Sequence, residues 1–187
     1  MLNKLFPLTD YNKIKYDKEG LYSITHYNEA DIISEIIKNN YLSDANLKIL
    51  DGTGGIGGNT ISFAKYFDKV TSIELDQSRY EMLTNNVKLF SSGVKFLNMD
   101  SVNYAYKNKN NYDIFFFDPP WGGPDYKKQK KLKLQIGGNS LLSIANKLKP
   151  NKLLVFKLPF NYDFDEFINF NYKLYKINNY YIIILLL

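Results

Sequence analysis

The sequence predicts an α/β fold: a mostly parallel, seven-stranded sheet of Rossmann-like type with helices on both faces and a C-terminal antiparallel hairpin. Three observations carry that expectation. Short apolar runs alternate with helix-period segments between residues 47 and 158, the pattern of a parallel sheet covered on both sides. One of those runs, YDIFFF at 112–117, is apolar almost throughout, as a central strand buried on both faces must be. Two more apolar stretches, YKLYKI and YYIIILLL, end the chain, separated by Asn178-Asn179, a pair suited to a tight hairpin turn.

Taken in order, residues 1–27 are polar and aromatic with little periodicity. EADIISEII (29–37) has helical spacing, which places a helix start near Asn28, a suitable N-cap. LKIL (47–50) reads as the first strand, GGNTISFAKYF (57–67) as a helix and KVTSIEL (69–75) as the second strand. QSRYEMLTNNVKLF (77–90) reads as a helix and VKFLNM (94–99) as the third strand. A short polar segment leads into YDIFFF, a helix around 139–148 precedes KLLVFKL (152–158), and DFDEFI reads as a further short helix. At 187 residues the chain is expected to form one compact domain, with a segment and helix at 1–40 and the core at 41–187. In such sheets ligands bind at the carboxyl ends of the strands, near the point where strand order reverses. The residues after the first, second and fourth strands are therefore the place to look.

Composition narrows the function classes. No run approaches the roughly 18 apolar residues that a membrane span needs, and the N-terminus lacks an apolar signal core. An intracellular protein without a membrane partner is expected, with nothing to separate cytoplasm from nucleus. Cysteine is absent and His26 is the sole histidine, so no metal site is expected. The net charge is +5, with Arg79 the sole arginine. Asn, Lys, Ile and Tyr abound throughout, as an AT-rich coding genome would produce, so the positions of the lysines say more than the pI.

After the first strand comes Asp51-Gly52-Thr53-Gly54-Gly55-Ile56-Gly57-Gly58-Asn59-Thr60. Glycines at that density let the backbone turn tightly and approach a ligand. The second strand ends at Glu74, whose carboxylate can accept both hydroxyls of a ribose. Together these residues define a nucleoside pocket. Gly52, Gly54 and Gly57 also satisfy the dinucleotide fingerprint G-x-G-x-x-G, so an NAD-type protein competes with one that binds S-adenosylmethionine. Asp51 favours the latter, since its carboxylate can meet the cationic amino-acid end of that cofactor.

The fourth strand ends in Asp118-Pro119-Pro120-Trp121. An amino group on a nucleobase is a weak nucleophile, because its lone pair is delocalised into the ring. Acceptors at the amine hold it and favour a tetrahedral nitrogen. Carbonyls around prolines are rigid acceptors without a competing N–H, and Asp118 adds a carboxylate. An aromatic ring then holds the base plane, a contact worth roughly 1–3 kcal/mol. Asp/Asn/Ser-Pro-Pro-aromatic is characteristic of methyltransferases acting on amino or amide nitrogens. Tryptophan moreover suits a cationic ring such as 7-methylguanine.

Trp121-Gly122-Gly123-Pro124-Asp125-Tyr126, following two prolines, resembles the signature of the trimethylguanosine synthase family, the RNA cap guanine-N2 methyltransferases. Gly55-Ile56-Gly57-Gly58-Asn59-Thr60 is similar to the family's G-V-G-G-N-T loop, and residues 14–25, IKYDKEGLYSIT, resemble its I-K-L-D-x-E-G-W-[FY]-S-V-T segment. The resemblance implies a class I S-adenosylmethionine-dependent methyltransferase, and capped RNA as partner. It implies that Trp121 stacks on 7-methylguanine while Asp118 and Pro119 hold the 2-amino group. Asp51, Gly52, Gly55, Gly57, Asn59, Glu74, Asp100 and Asp118 would line the cofactor pocket. Residues from 1–40 would act as a lid, with Ser23 and Thr25 close to the cofactor. Lys15, Pro124, Asp125, Tyr126 and Asn161 would face the capped substrate.

Two departures stand out. Many family members carry serine where this chain has Asp118. The family's L-P-R-N becomes Leu158-Pro159-Phe160-Asn161, which removes an arginine that would meet cap phosphate. Five lysines in the block 127–133 could replace that charge or form only a solvated loop. A bare catalytic domain of this kind suits a virus, acting in host cytoplasm, or a small eukaryote, and a monomer is expected. Three rivals stay open: an amino-methyltransferase acting on adenine in DNA or guanine in ribosomal RNA, a non-catalytic cap-binding module, and the dinucleotide enzyme.

Overall fold

The computed structural model describes residues 1–41, 46–148 and 152–186. Among them the chain runs α1 (Leu2–Leu5), α2 (Lys18–Ser23), α3 (Tyr27–Asn39), β1 (Lys48–Asp51), α4 (Gly58–Tyr66), β2 (Lys69–Glu74), α5 (Gln77–Lys88) and β3 (Val94–Asn98). It continues through α6 (Ser101–Lys107), β4 (Ile114–Phe117), a small hairpin of β5 (Gln135–Ile136) and β6 (Asn139–Ser140), and α7 (Leu141–Leu148). β7 (Leu153–Pro159), β8 (Tyr172–Ile177) and β9 (Tyr180–Leu186) complete it. Seven strands form one sheet in the order β3-β2-β1-β4-β7-β9-β8. The first five in that order are parallel, and β9 lies antiparallel between β7 and β8. The C-terminal hairpin turns at Asn178, whose φ of 49° lies in the left-handed region that asparagine tolerates.

Alternation along each strand divides the core in two. Ile114 and Phe116 of β4 join Ile49, Val155 and Ile182 on one face, packed against Ile33 and Ile37 of α3, Phe63 of α4 and Leu83 of α5. Phe115 and Phe117 join Leu50, Leu154 and Phe156 on the other face, against Val102 of α6 and Leu141 and Ile144 of α7. Leu5, Phe6 and Ile14 are buried in the first of these clusters, so the N-terminal segment shares the core of the sheet.

Some boundaries differ from the sequence expectation. α3 starts at Tyr27 with His26 as an N-cap that makes no side-chain bond, and Asn28 sits inside its first turn. Periodicity did not reveal three helices, α1, α2 and α6, and the last two are each started by an aspartate cap. Asp17 accepts from the Gly20 N–H, and Asp100 from the Asn103 N–H. The strand order reverses between β1 and β4, with β2 beyond β1. The tips of these three strands lie together.

Candidate functional site

Three carboxylates stand at those tips: Asp51, Glu74 and Asp118. Asp51 is fully buried. Its Oδ2 accepts from the Thr60 hydroxyl at 2.6 Å, Thr60 shares a 2.8 Å bond with Ser72, and the Thr53 N–H donates to Oδ1 at 3.2 Å. Burial pushes the Asp51 carboxyl up to about 7, the charges of Asp118 and Glu74 add to the rise, and the bonds from Thr60 and Thr53 oppose it. A cationic ligand group is what such a carboxylate lacks.

The glycine loop is stitched to the strands around it. The Gly52 N–H donates to the Phe116 carbonyl at 2.9 Å and the Gly54 N–H to the Ile73 carbonyl at 2.8 Å. A Cβ on Gly52 would stand 2.2 Å from the Phe117 ring, so only glycine fits there. Gly55 has φ +55°, and a Cβ on it would meet nothing within 4 Å, so its backbone borders open space. Its N–H donates to Glu74 Oε2 at 2.9 Å, while the Asp76 N–H holds Oε1 at 3.0 Å. Glu74 is thereby fixed, with the Arg79 guanidinium a further 4.0 Å from Oε1. Gly57 caps α4, in whose first turn Asn59 follows. Asn59 Oδ1 and Thr25 Oγ1 are both buried without a hydrogen-bond partner.

The N-terminal segment is bolted over this loop by Asn86 of α5, a fully buried side chain. Its Oδ1 accepts from the Lys15 N–H, and its Nδ2 donates to the Lys15 and Ile56 carbonyls, all at 2.8–2.9 Å. Arg79 adds a 2.7 Å ion pair with Glu19 of α2. The Lys15 side chain itself is exposed. Ser23 is exposed too, its hydroxyl donating back to the Glu19 carbonyl. Asp100 is engaged as the cap of α6, with Oδ2 also accepting from Asn103 Nδ2 and lying 3.3 Å from where a Cβ on Gly137 would be.

On the other side of the loop, Thr53 Oγ1 accepts from the Asp118 N–H at 2.6 Å, tying the glycine loop to the Asp-Pro-Pro turn. Asp118 Oδ2 meets the ammonium of Lys157 at 2.7 Å. Burial raises the Asp118 carboxyl, and Lys157 pulls it back down. Trp121 is half-buried and turned inward, its ring packed on both core clusters. Tyr126 meets it edge-on at 5.2 Å, and Tyr180 lies tilted at 6.3 Å. The indole N–H closes no hydrogen bond, yet it is near enough to favour the ionised form of Asp118. Pro119 is buried beside it.

The loop that follows is open. Asp125 is exposed and ion-paired with Lys128 at 2.6 Å. Pro124 opens a short 3₁₀ turn there; its side chain lies outside the described residues. Asn161 donates from Nδ2 to the Tyr126 and Gln129 carbonyls, each at 2.8 Å, so it staples the lysine loop in place. Sequence reasoning missed Thr53, Asn86, Lys157 and Tyr180. A lysine inside the otherwise apolar KLLVFKL was the one available signal.

These groups fit S-adenosylmethionine: a buried carboxylate for its amino-acid end, a fixed carboxylate for its ribose, open space at Gly55, and two unpaired oxygens at Thr25 and Asn59. The model of the RNA cap guanine-N2 methyltransferase family matches residues 46–184. The chain belongs to this family. An uncharacterized protein of Acanthamoeba polyphaga mimivirus is 38% identical to it, across 93% of this chain and 78% of that protein. The trimethylguanosine synthase of Schizosaccharomyces pombe is 34% identical, across 59% of this chain and 47% of its own length; the chain thus matches about half of that protein. The fold superposes with a TM-score of 0.62 on a Thermus thermophilus 16S rRNA N2 methyltransferase solved with AdoMet and guanosine. The two are 17% identical, with 91% of this chain and 43% of that one covered. As a member of this family the chain is an S-adenosylmethionine-dependent methyltransferase. No described helix is long and apolar enough to cross a membrane.

Proposed function

We propose that the chain methylates the exocyclic 2-amino group of 7-methylguanosine caps on RNA, as a monomer in which residues 1–40 serve as lid segment and helix over a core at 41–187. The observation that carries this reading is the tip of β4, where a half-buried carboxylate, two prolines and an inward tryptophan adjoin the glycine loop. S-Adenosylmethionine supplies an electrophilic methyl group on a sulfonium. Asp51 holds its cationic end, with Thr25, Asn59 and the backbone of Gly52, Gly55 and Gly57 around it. Glu74 accepts the ribose hydroxyls, and Ser23 and Asp100 border the pocket.

Asp118 Oδ1 and the Pro119 carbonyl accept the two N–H groups of the guanine amine and so direct its lone pair. As the N–C bond forms, the methyl–sulfur bond would break and the sulfonium would leave as a neutral thioether. The amine proton released goes to Asp118, whose burial makes it a better base than an exposed aspartate. Trp121 stacks on the purine, Tyr126 backs the indole, and Pro124 and Asp125 shape the rim. Lys15 and the lysines of 127–133 meet the cap phosphates, with Asn161 holding that loop. Positioning supplies much of the acceleration for such an in-line transfer. Mass spectrometry of a 7-methylated cap dinucleotide incubated with enzyme and S-adenosylmethionine should show one or two added methyl groups. Equal methylation of the unmethylated cap analogue would overturn the cap assignment in favour of another guanine substrate.

A further inference from the structure

Lys157 is the sole lysine among the buried polar side chains of the described residues. It lies in β7, whose residues are all buried. Its ammonium is 2.7 Å from Asp118 Oδ2, 5.1 Å from the Trp121 ring centroid and 4.9 Å from that of Tyr180. Tyr180 is itself fixed, its hydroxyl donating to Glu29 Oε2 at 3.0 Å while Asn178 Nδ2 holds Oε1 at 2.6 Å. An apolar side chain in this strand would be at least as stabilising as a buried ion pair, so stability alone does not explain the lysine.

We infer that Lys157 is a positioning and specificity residue of methyl transfer: it fixes Asp118 as an ionised acceptor aimed at the amine and sets the charge beside the Trp121 ring. The inference rests on the methyl-transfer reading above. With Oδ2 engaged, no hydrogen bond among the described residues closes on Oδ1, which stays available to the substrate. The titratable groups facing Asp118 are Lys157 from β7, Asp51 from β1 and Tyr180 from β9. Lys157 is the only cation of the three. Without it, burial favours a protonated Asp118, opposed only by the nearby Trp121 indole, and a protonated carboxyl would donate to the amine instead of accepting from it. Asp118 in turn neutralises the ammonium beside the indole, so the pair presents no net charge to a cationic 7-methylguanine at that ring.

The test compares wild type, K157M and D118N/K157M. In K157M the acid limb of the kcat–pH profile should move upward by at least one pH unit, and kcat at neutral pH should fall by about 10- to 100-fold, the scale of a displaced acid–base group. D118N/K157M removes both charges at similar side-chain volume; it should fold and lose that limb, with kcat no higher than that of K157M because the acceptor of the amine proton is gone. S-Adenosylmethionine affinity of K157M should stay within about twofold of wild type, since the Lys157 ammonium meets Asp118, Trp121 and Tyr180 and not the glycine loop. A ¹³C NMR titration of the Asp118 carboxyl in K157M should follow the same upward move without any substrate. An unchanged Asp118 titration in K157M, or an acid limb that persists unmoved in both variants, would overturn the role of Lys157. Absence of cap methylation by wild type would instead sink the proposed substrate, with the carboxyl titration still judging Lys157.

Discussion

Around Asp51 the chain satisfies its polar groups with its own backbone and hydroxyls, whereas around Trp121 it presents rings, a proline turn and exposed lysines. The cofactor side is fixed by bonds from Gly52, Gly54, Gly55, Thr53, Thr60 and Asn86, most of them buried or half-buried. The substrate side hangs from a few anchors, chiefly the Thr53 hydroxyl, Lys157 and Asn161. Rigidity suits a small ligand that always has the same shape. A looser rim suits RNA, which must enter with its chain attached.

The sharpest way to break this contrast is to damage the rigid side. Gly52→Ala places a methyl group into the fully buried Phe117 ring and should cost about 3 kcal/mol of stability, the top of the usual overpacking range. A thermal melt and cofactor calorimetry should show both functions lost together. On the other side, Trp121→Ala should lower kcat/KM for capped substrate by roughly 2 kcal/mol, about thirtyfold, the worth of one aromatic stack, and leave cofactor affinity nearly unchanged. Equal loss of both would make Trp121 a structural element.

The third effect is one of pH. Asp51 is raised from 3.8 to about 7 in the ligand-free fold. A carboxyl raised on folding favours the folded state while protonated, so ligand-free stability should fall as pH rises from about 4 to about 7. Cofactor pairing needs the ionised form, so affinity should rise with pH over the same window and level off above 7. Asp51→Asn should flatten that profile in calorimetry. The smallest effect belongs to the lysine loop. Lys128 pairs with Asp125, and Lys131 with Asp163 and Asp165, whereas Lys127, Lys130 and Lys133 make no ion pair among the described residues. Replacing those three by alanine should weaken capped-RNA binding several-fold and flatten its log–log salt slope by about 2. An unchanged slope would make them a solvated surface.

The fold was legible because burial writes itself along the chain. Apolar runs such as YDIFFF announce strands that are covered on both faces, and Asp51, Glu74 and Asp118 follow from where such strands end. Capped helices of mixed polarity were not legible: SVNYAYK carries too few apolar residues to show a period, and Asp100 starts it. Lys157 was hidden for a different reason. Its partner lies 39 residues earlier, and only the pairing of β4 with β7 brings the two together. Asn86 was hidden likewise, since nothing in its helix shows that it will bind the Lys15 and Ile56 backbones.

The floor beneath Trp121 is assembled from distant parts of the chain: Glu29 from α3, Lys157 from β7 and Tyr180 from β9, with 151 residues separating Glu29 from its tyrosine. Ile182 and Ile184 of the same β9 also belong to the core cluster that holds Ile56 and Ile61 of the glycine loop and its helix. One late strand thus supports both the loop and the tryptophan, and neither is fully backed until β9 docks.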